Sequence, residues 1–182
     1  MNWLEECLRS TFPAPDAAPG GTSFVEKGLT FSIRKNLGET VAMFHLDSDG
    51  ARNRRPPGVK VCDLLFVCIR PGRPSALLLF VELKGADLSA ALTQLDQTFS
   101  RLCKRGHGHH DDAIPAIREK YPGISGHNGR ALGFVVRRQG GHIDQKRVKA
   151  LSRRGLHLVV RTGSQTDVTI KELVKHVPGS SA

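Results

Sequence analysis

No run in this sequence approaches the about 18 apolar residues that a membrane span requires. The first stretch, MNWLEECLRSTF, has no basic segment followed by an apolar one, so a secretory signal and a membrane location are not expected. The cytoplasm is the expected address. Cysteine is sparse: Cys7, Cys62, Cys68 and Cys103 form neither a CxxC pair nor a zinc-ribbon spacing, and are read as small buried hydrophobes. Phosphate and nucleophile signatures are missing as well. There is no GxxxxGK[ST], no GxGxxG after a strand and no GxSxG, and KGADLSAALTQ lacks the glycines that a phosphate cradle needs. Acids are the scarcest charged class, with 17 Asp and Glu against 27 Lys and Arg. The resulting charge of +10, with a pI near 10.0, makes a polyanion the natural partner, because each neutralised phosphate releases a counterion.

What is present suits one globular domain over 1–182, with 39% hydrophobic and 24% charged residues. Near-helical spacing of Trp3, Leu4, Cys7, Leu8 and Phe12 predicts a short first helix. Residues 13–23 read as a linker, 106–129 as a long Gly- and His-rich loop and 178–182 as a flexible tail. LTFSIRKN and TVAMFHLDS are predicted strands joined by LGE, and DGARNRRPPG a basic loop. Two apolar strands follow, roughly Val59 to Ile69 and Ala76 to Gly85. Asp87 is a predicted N-cap for a helix whose core stripe is Leu88, Leu92, Leu95, Phe99 and Leu102. RALGFVVRR (strand), IDQKRVKALSRRG (helix), LHLVVRT (strand) and IKELVKHV (helix) complete the chain. Strands first, then helix, strand, helix and strand, predict an α/β fold with a mixed sheet flanked by helices.

Three charges interrupt the apolar strands: Asp63, Glu82 and Lys84. Glu82 and Lys84 are two residues apart and so share a face. If the two strands pair antiparallel about a tip at Gly72 and Arg73, Asp63 stands opposite Glu82, with Cβ atoms about 5 Å apart. A two-residue slip puts Asp63 opposite Lys84 instead, and a one-residue slip turns it to the other face. Either favourable register brings two carboxylates and an ammonium together. Two close carboxylates in an apolar setting need a compensating cation. Hard oxygen ligands with room for water and phosphate suit Mg2+, with Mn2+ as a substitute. A neighbouring ammonium then orients a water or stabilises charge on a phosphate oxygen, an arrangement for phosphodiester hydrolysis. The bland alternatives are a buried ion pair of Asp63 and Lys84, or strand ends that simply emerge into solvent beside Gly85.

Asp63, then Glu82-Leu83-Lys84 on the next strand, then a helix carrying Gln94, resemble the PD-(D/E)xK nuclease superfamily over roughly Val59 to Arg105. The resemblance implies a restriction-endonuclease-like αβββαβ core. It implies Asp63 and Glu82 as metal ligands, Lys84 as the residue assisting the attacking water, and Gln94 as a helical site residue. Cys62 stands where the motif has proline, and Thr98 where some branches have a tyrosine four residues after the glutamine. An extra acid is implied from the N-terminal part, with Glu5, Glu6, Glu26 and Glu39 as candidates and Glu26 preferred. The expected activity is a Mg2+-dependent DNA endonuclease of a bacterial defence or repair system, with RNA a weaker candidate substrate. The small size argues against a built-in target-recognition domain, so sequence specificity is not expected from this chain alone. The expected partners besides DNA are a second copy, since one such site cuts one strand, or a partner subunit for targeting.

The wheel of the Gln94 helix sets Asp87, Ala91, Gln94, Thr98, Arg101 and Arg105 in a stripe beside the core leucines, with the arginines placed for phosphates or simply solvated. Other bases cluster at Arg52, Arg54 and Arg55, at Arg137 and Arg138, and along Lys146, Arg147, Lys149, Arg153 and Arg154. HGHHDD, His107 to Asp112, is a rival metal candidate, but it matches no closed-site spacing and reads as a polar loop. His45, His142, His157 and His176 carry no assigned role. A non-catalytic nucleic-acid-binding module and a basic protein-interaction subunit, each keeping the nuclease-like fold, are the competing functions.

Overall fold

The computed structural model describes residues 22–72, 76–84, 87–103, 130–140 and 142–177. The expected first helix with Glu5 and Glu6, the 106–129 loop with His107 to Asp112, Lys104 and Arg105, and the 178–182 tail lie outside the described residues. The elements are β1 (Thr22–Glu26), β2 (Leu29–Arg34), β3 (Thr40–His45), α1 (Asp49–Arg54), β4 (Leu64–Ile69), β5 (Leu77–Lys84), α2 (Leu88–Cys103), β6 (Arg130–Arg137), α3 (Gln145–Arg153), β7 (Leu156–Thr162), β8 (Gln165–Thr169) and α4 (Ile170–Val174). The fold is α/β. Among the described residues, no helix is long and apolar enough to cross a membrane.

A five-stranded mixed sheet, ordered β3-β4-β5-β6-β7, forms the centre. β3, β4 and β5 are an antiparallel meander, and β6 and β7 add in parallel after the crossovers through α2 and α3. LLLFVEL is apolar at both alternating sets of positions because β5 is buried on both faces. On one face Leu78 and Phe80 join Leu65, Val67 and Val135 beneath the α2 stripe of Leu88, Leu92, Leu95, Phe99 and Leu102. Gly133 lets α2 and β7 close over β6, since a Cβ there would lie 3.3 Å from Leu95 Cδ1 and 3.1 Å from Leu158 Cδ1.

The other face carries a second sheet, ordered β1-β2-β8, and α4. Leu29, Phe31 and Ile33 of β2 pack on Phe66, Leu79, Val81 and Phe134. The Phe31 ring stands 5.5 Å from that of Phe66 and 5.0 Å from that of Phe134, between centroids. Three layers result: helices, central sheet, small sheet.

This second sheet corrects the sequence reading in three places. β2 and β3 are both strands, but they belong to different sheets. Thr22 and Ser23, read as the end of a linker, begin β1, which joins β2 through a two-residue turn. Lys27 and Gly28 both take positive φ there, 48° and 72°, as a tight hairpin demands. β8 went unrecognised because Val168 is its only buried side chain. The basic loop DGARNRRPPG also begins as α1, where Ser48 Oγ accepts from the Ala51 N–H at 3.4 Å.

Candidate active site

The β4–β5 register pairs Leu64 with Val81 and Leu65 with Phe80. One step further along, Asp63 stands opposite Glu82, the first of the alternatives left open by the sequence. Side chains continue the ladder where the backbone pairing stops. The Asp63 N–H donates to Glu82 Oε2 at 3.2 Å, and the Leu83 N–H donates to Asp63 Oδ2 at 2.6 Å. The Asp63 carbonyl accepts from the Leu46 N–H at 2.9 Å, tying in the end of β3. Lys84 Nζ lies 2.9 Å from Glu82 Oε1. That ion contact leaves Oε1, a buried atom, without a hydrogen bond of good angle. The trio named from the sequence therefore converges on the helix-covered side of the sheet. Asp63 is 4% exposed and Glu82 0%. The Lys84 side chain is 26% exposed and gives solvent its approach.

Burial dominates the electrostatics. It pushes the Asp63 carboxyl up to about 6, with the charges of Glu26 and Asp47 adding to the rise and the Leu83 N–H and Lys84 opposing it. Burial and then the charge of Asp63 push Glu82 up to about 8, against the pull of Lys84 and the Asp63 N–H. For Lys84, burial alone would lower the ammonium, but its contact with Glu82 and the charge of Asp63 hold it above its ordinary value. Without a cation the carboxyl pair thus retains a proton near neutral pH, and the lysine stays charged.

No protein-family model, curated protein or solved structure matches this chain. The chemistry of the site therefore rests on its own residues. Two hard carboxylates, one with a buried oxygen short of a donor, fit a small divalent cation better than a closed multi-histidine cage would. Among the described residues no group of three or more His, Cys, Asp and Glu is placed to hold a metal ion, so no third such side chain joins Asp63 and Glu82 as a ligand. Magnesium suits a two-carboxylate site, because it completes its shell with water and substrate phosphate. Two cavities lined by described residues, of about 400 and 460 Å³, lie along the small sheet and beside α4 and include none of the trio.

α2 sets the segment that leads into Asp63. Gln94 Nε2 donates to the Val61 carbonyl at 2.9 Å. Thr98 Oγ1 accepts from the Cys62 N–H at 2.8 Å and donates to the Gln94 carbonyl at 2.7 Å. Gln97 Oε1 accepts from the Lys60 N–H at 3.3 Å. Gln94 thus contacts the backbone behind Asp63, and Thr98, in the tyrosine's place, serves the same segment. Cys62 and Cys68 are buried, as expected.

Of the candidate N-terminal acids, Glu26 sits at the tip of the β1–β2 hairpin, where the Arg138 guanidinium donates to the Lys27 carbonyl, and its charge reaches Asp63. Glu39 is excluded by position. It precedes Thr40, which pairs with Ile69, whereas the site end of β3 is His45, which pairs with Leu64. Five residues of strand, about 17 Å, separate the two ends.

Two groups were not assigned to the site by the sequence reading. Asp47, two residues past the end of β3, also acts on Asp63 and is held by Arg52 at 2.7 Å and Arg55 at 2.9 Å. Following the antiparallel meander back to β3 would have found it. Arg137 is the parallel partner of Lys84 and is 5% exposed, so its guanidinium is buried on the site's side of the sheet. Its signal was the strand RALGFVVRR, once placed beside β5.

Proposed function

We propose that this chain is a divalent-metal-dependent nuclease of the PD-(D/E)xK kind that hydrolyses phosphodiester bonds in DNA, an endonuclease of a defence or repair system. The observation carrying this reading is the convergence of Asp63, Glu82 and Lys84 at the end of two apolar strands. The antiparallel meander β3-β4-β5, the crossover through α2 and the parallel β6 also agree with the βββαβ part of the restriction-endonuclease-like core that the resemblance implies.

Asp63 and Glu82 are the residues that would hold Mg2+, or Mn2+ in its place, and the ion would supply Lewis-acid stabilisation of charge on a phosphate oxygen. The rest of the chemistry belongs to the chain. The raised Lys84 ammonium favours donation, orienting the attacking water and stabilising a developing oxyanion, over abstraction of a proton. Gln94, Gln97 and Thr98 hold the backbone behind Asp63, so the aspartate cannot swing away from its partner. One such site cuts one strand, so cutting a duplex takes two copies or two successive events.

A second reading, a non-catalytic nucleic-acid-binding module, is favoured by the near-complete burial of two carboxylates that cap each other's strands. One experiment separates the two. Supercoiled, linear, single-stranded and branched DNA, and RNA, are incubated with the protein in magnesium, manganese or chelator. The expected result is metal-dependent cutting of a DNA form, reduced at least about 100-fold in Lys84→Ala and in Asp63→Ala while binding in chelator persists. Cutting by Lys84→Ala at the wild-type rate would remove the lysine from the mechanism. Binding with no cutting of any substrate would leave the second reading.

A further inference from the structure

The cations of α3 divide into two sets with different uses. Arg147 donates to Thr93 Oγ1 at 2.7 Å and to the Ser89 carbonyl at 3.2 Å. Arg154, at the C-cap, pairs with Asp96 at 2.5 Å and with Ser100. These two fasten α3 to α2 and are internal ties. Lys146, Lys149 and Arg153 are exposed, and none has an ion-pair partner among the described residues. At about 100° per residue they fall within a single arc of about 60°, on the side away from the buried Leu151. No acid occurs between Gln145 and Arg153.

Like charges three and four residues apart destabilise a helix by a few tenths of a kcal/mol per pair. Lys146 with Lys149, and Lys149 with Arg153, are two such pairs, and a polyanion laid along the helix relieves both at once. The three charges span about 10 Å of helix, a length over which a DNA duplex presents about six phosphates. The location also fits. α3 starts a few residues after β6 ends at Arg137, the partner of Lys84, so Lys146 lies toward the site end of the sheet and the stripe runs from there.

We infer that Lys146, Lys149 and Arg153 form a docking stripe for the phosphate backbone of duplex DNA, leading toward the carboxylate site. The inference deepens the proposed nuclease reading and rests on its nucleic-acid part. The stripe contacts phosphates and reads no bases, so it confers affinity and register without sequence preference.

The test measures duplex affinity against salt concentration in chelator. Removing three phosphate contacts in Lys146→Gln/Lys149→Gln/Arg153→Gln lowers the slope of log K against log salt by about 2–3 units. Gln is a fair helix former, so the helix persists, and a thermal melt checks that it does. The charge-retaining Lys146→Arg/Lys149→Arg/Arg153→Lys keeps the slope. Lys171→Gln/Lys175→Gln, on the opposite face of the central sheet, also keeps it and leaves cutting unchanged. A wild-type slope in the triple glutamine variant overturns the inference. So does an equal loss per charge in the Lys171/Lys175 control, which would make the effect one of net charge. Weakened binding to anionic vesicles with an unchanged slope on DNA would assign the stripe to lipid and overturn it too. A protein that shows the slope loss but cuts nothing retains this stripe and loses the nuclease reading. A protein that cuts DNA with the slope intact does the reverse.

Discussion

Glu82 is a carboxylate placed where charge is expensive, and its proton reports that expense. A carboxyl raised from 4.5 to about 8 binds its proton more tightly in the folded chain than in the unfolded one. Below about pH 4.5 both states are protonated and the folded state carries no penalty. As pH rises through about 8, the folded protein must bury the charge, and stability falls by an amount on the order of a few kcal/mol. Asp63, raised to about 6, adds a smaller loss of the same sign at lower pH. In chelator the wild-type chain is therefore expected to be less stable at about pH 9 than at about pH 5, and Glu82→Gln to flatten that dependence and be the more stable of the two at high pH. Denaturant unfolding across this range decides it. Magnesium should raise the wild-type midpoint at high pH and leave Glu82→Gln unmoved. A wild-type protein that gained stability with rising pH would contradict the assignment.

α2 acts at the next scale as a frame. Its leucine stripe was visible in the sequence because helix periodicity depends only on near neighbours. The polar neighbours of that stripe were not so easily read. Thr98 looked like a departure from a motif, yet it is fully buried and satisfies the Cys62 N–H. Thr98→Val keeps the volume and removes the acceptor, leaving a buried donor unpaired at a cost of about 1–3 kcal/mol. Equilibrium unfolding gives the loss, and wild-type stability in this variant would show that the bond does not hold the segment. The strands divide along similar lines. β4, β5 and β6 announce themselves by continuous apolar runs, while β1 has only half-buried and exposed side chains, β8 buries a single one among polar neighbours, and neither carries such a signal.

For the molecule as a whole, the small sheet is the feature that reorganises the site. By closing the face of β4, β5 and β6 away from the helices, it carries Glu26 to the same end as Asp63. Phe31 is its main anchor, fully buried between Phe66 and Phe134. Phe31→Ala is expected to lower stability by about 3–5 kcal/mol, read from the denaturant midpoint at constant slope. A loss below about 1 kcal/mol would mean that the two sheets are not packed through this ring. Charge is also organised at this scale. Arg52, Arg55, Arg147 and Arg154 are tied to partners within the protein, so the cations that a polyanion meets are the other, untied ones.

The linear chain by itself determined the apolar strands, the amphipathic α2, the alternation that sets Glu82 and Lys84 on one face, and a positive charge suited to nucleic acid. Each of these depends on residues a few positions apart. Tertiary structure alone chose the register that sets Asp63 opposite Glu82, separated β2 from β3 into different sheets, put Glu39 at the wrong end and brought Asp47 and Arg137 to the right one. Those outcomes turn on pairings between segments far apart in sequence. A single-residue slip in such a pairing reverses every side chain, and no local pattern of residues records it.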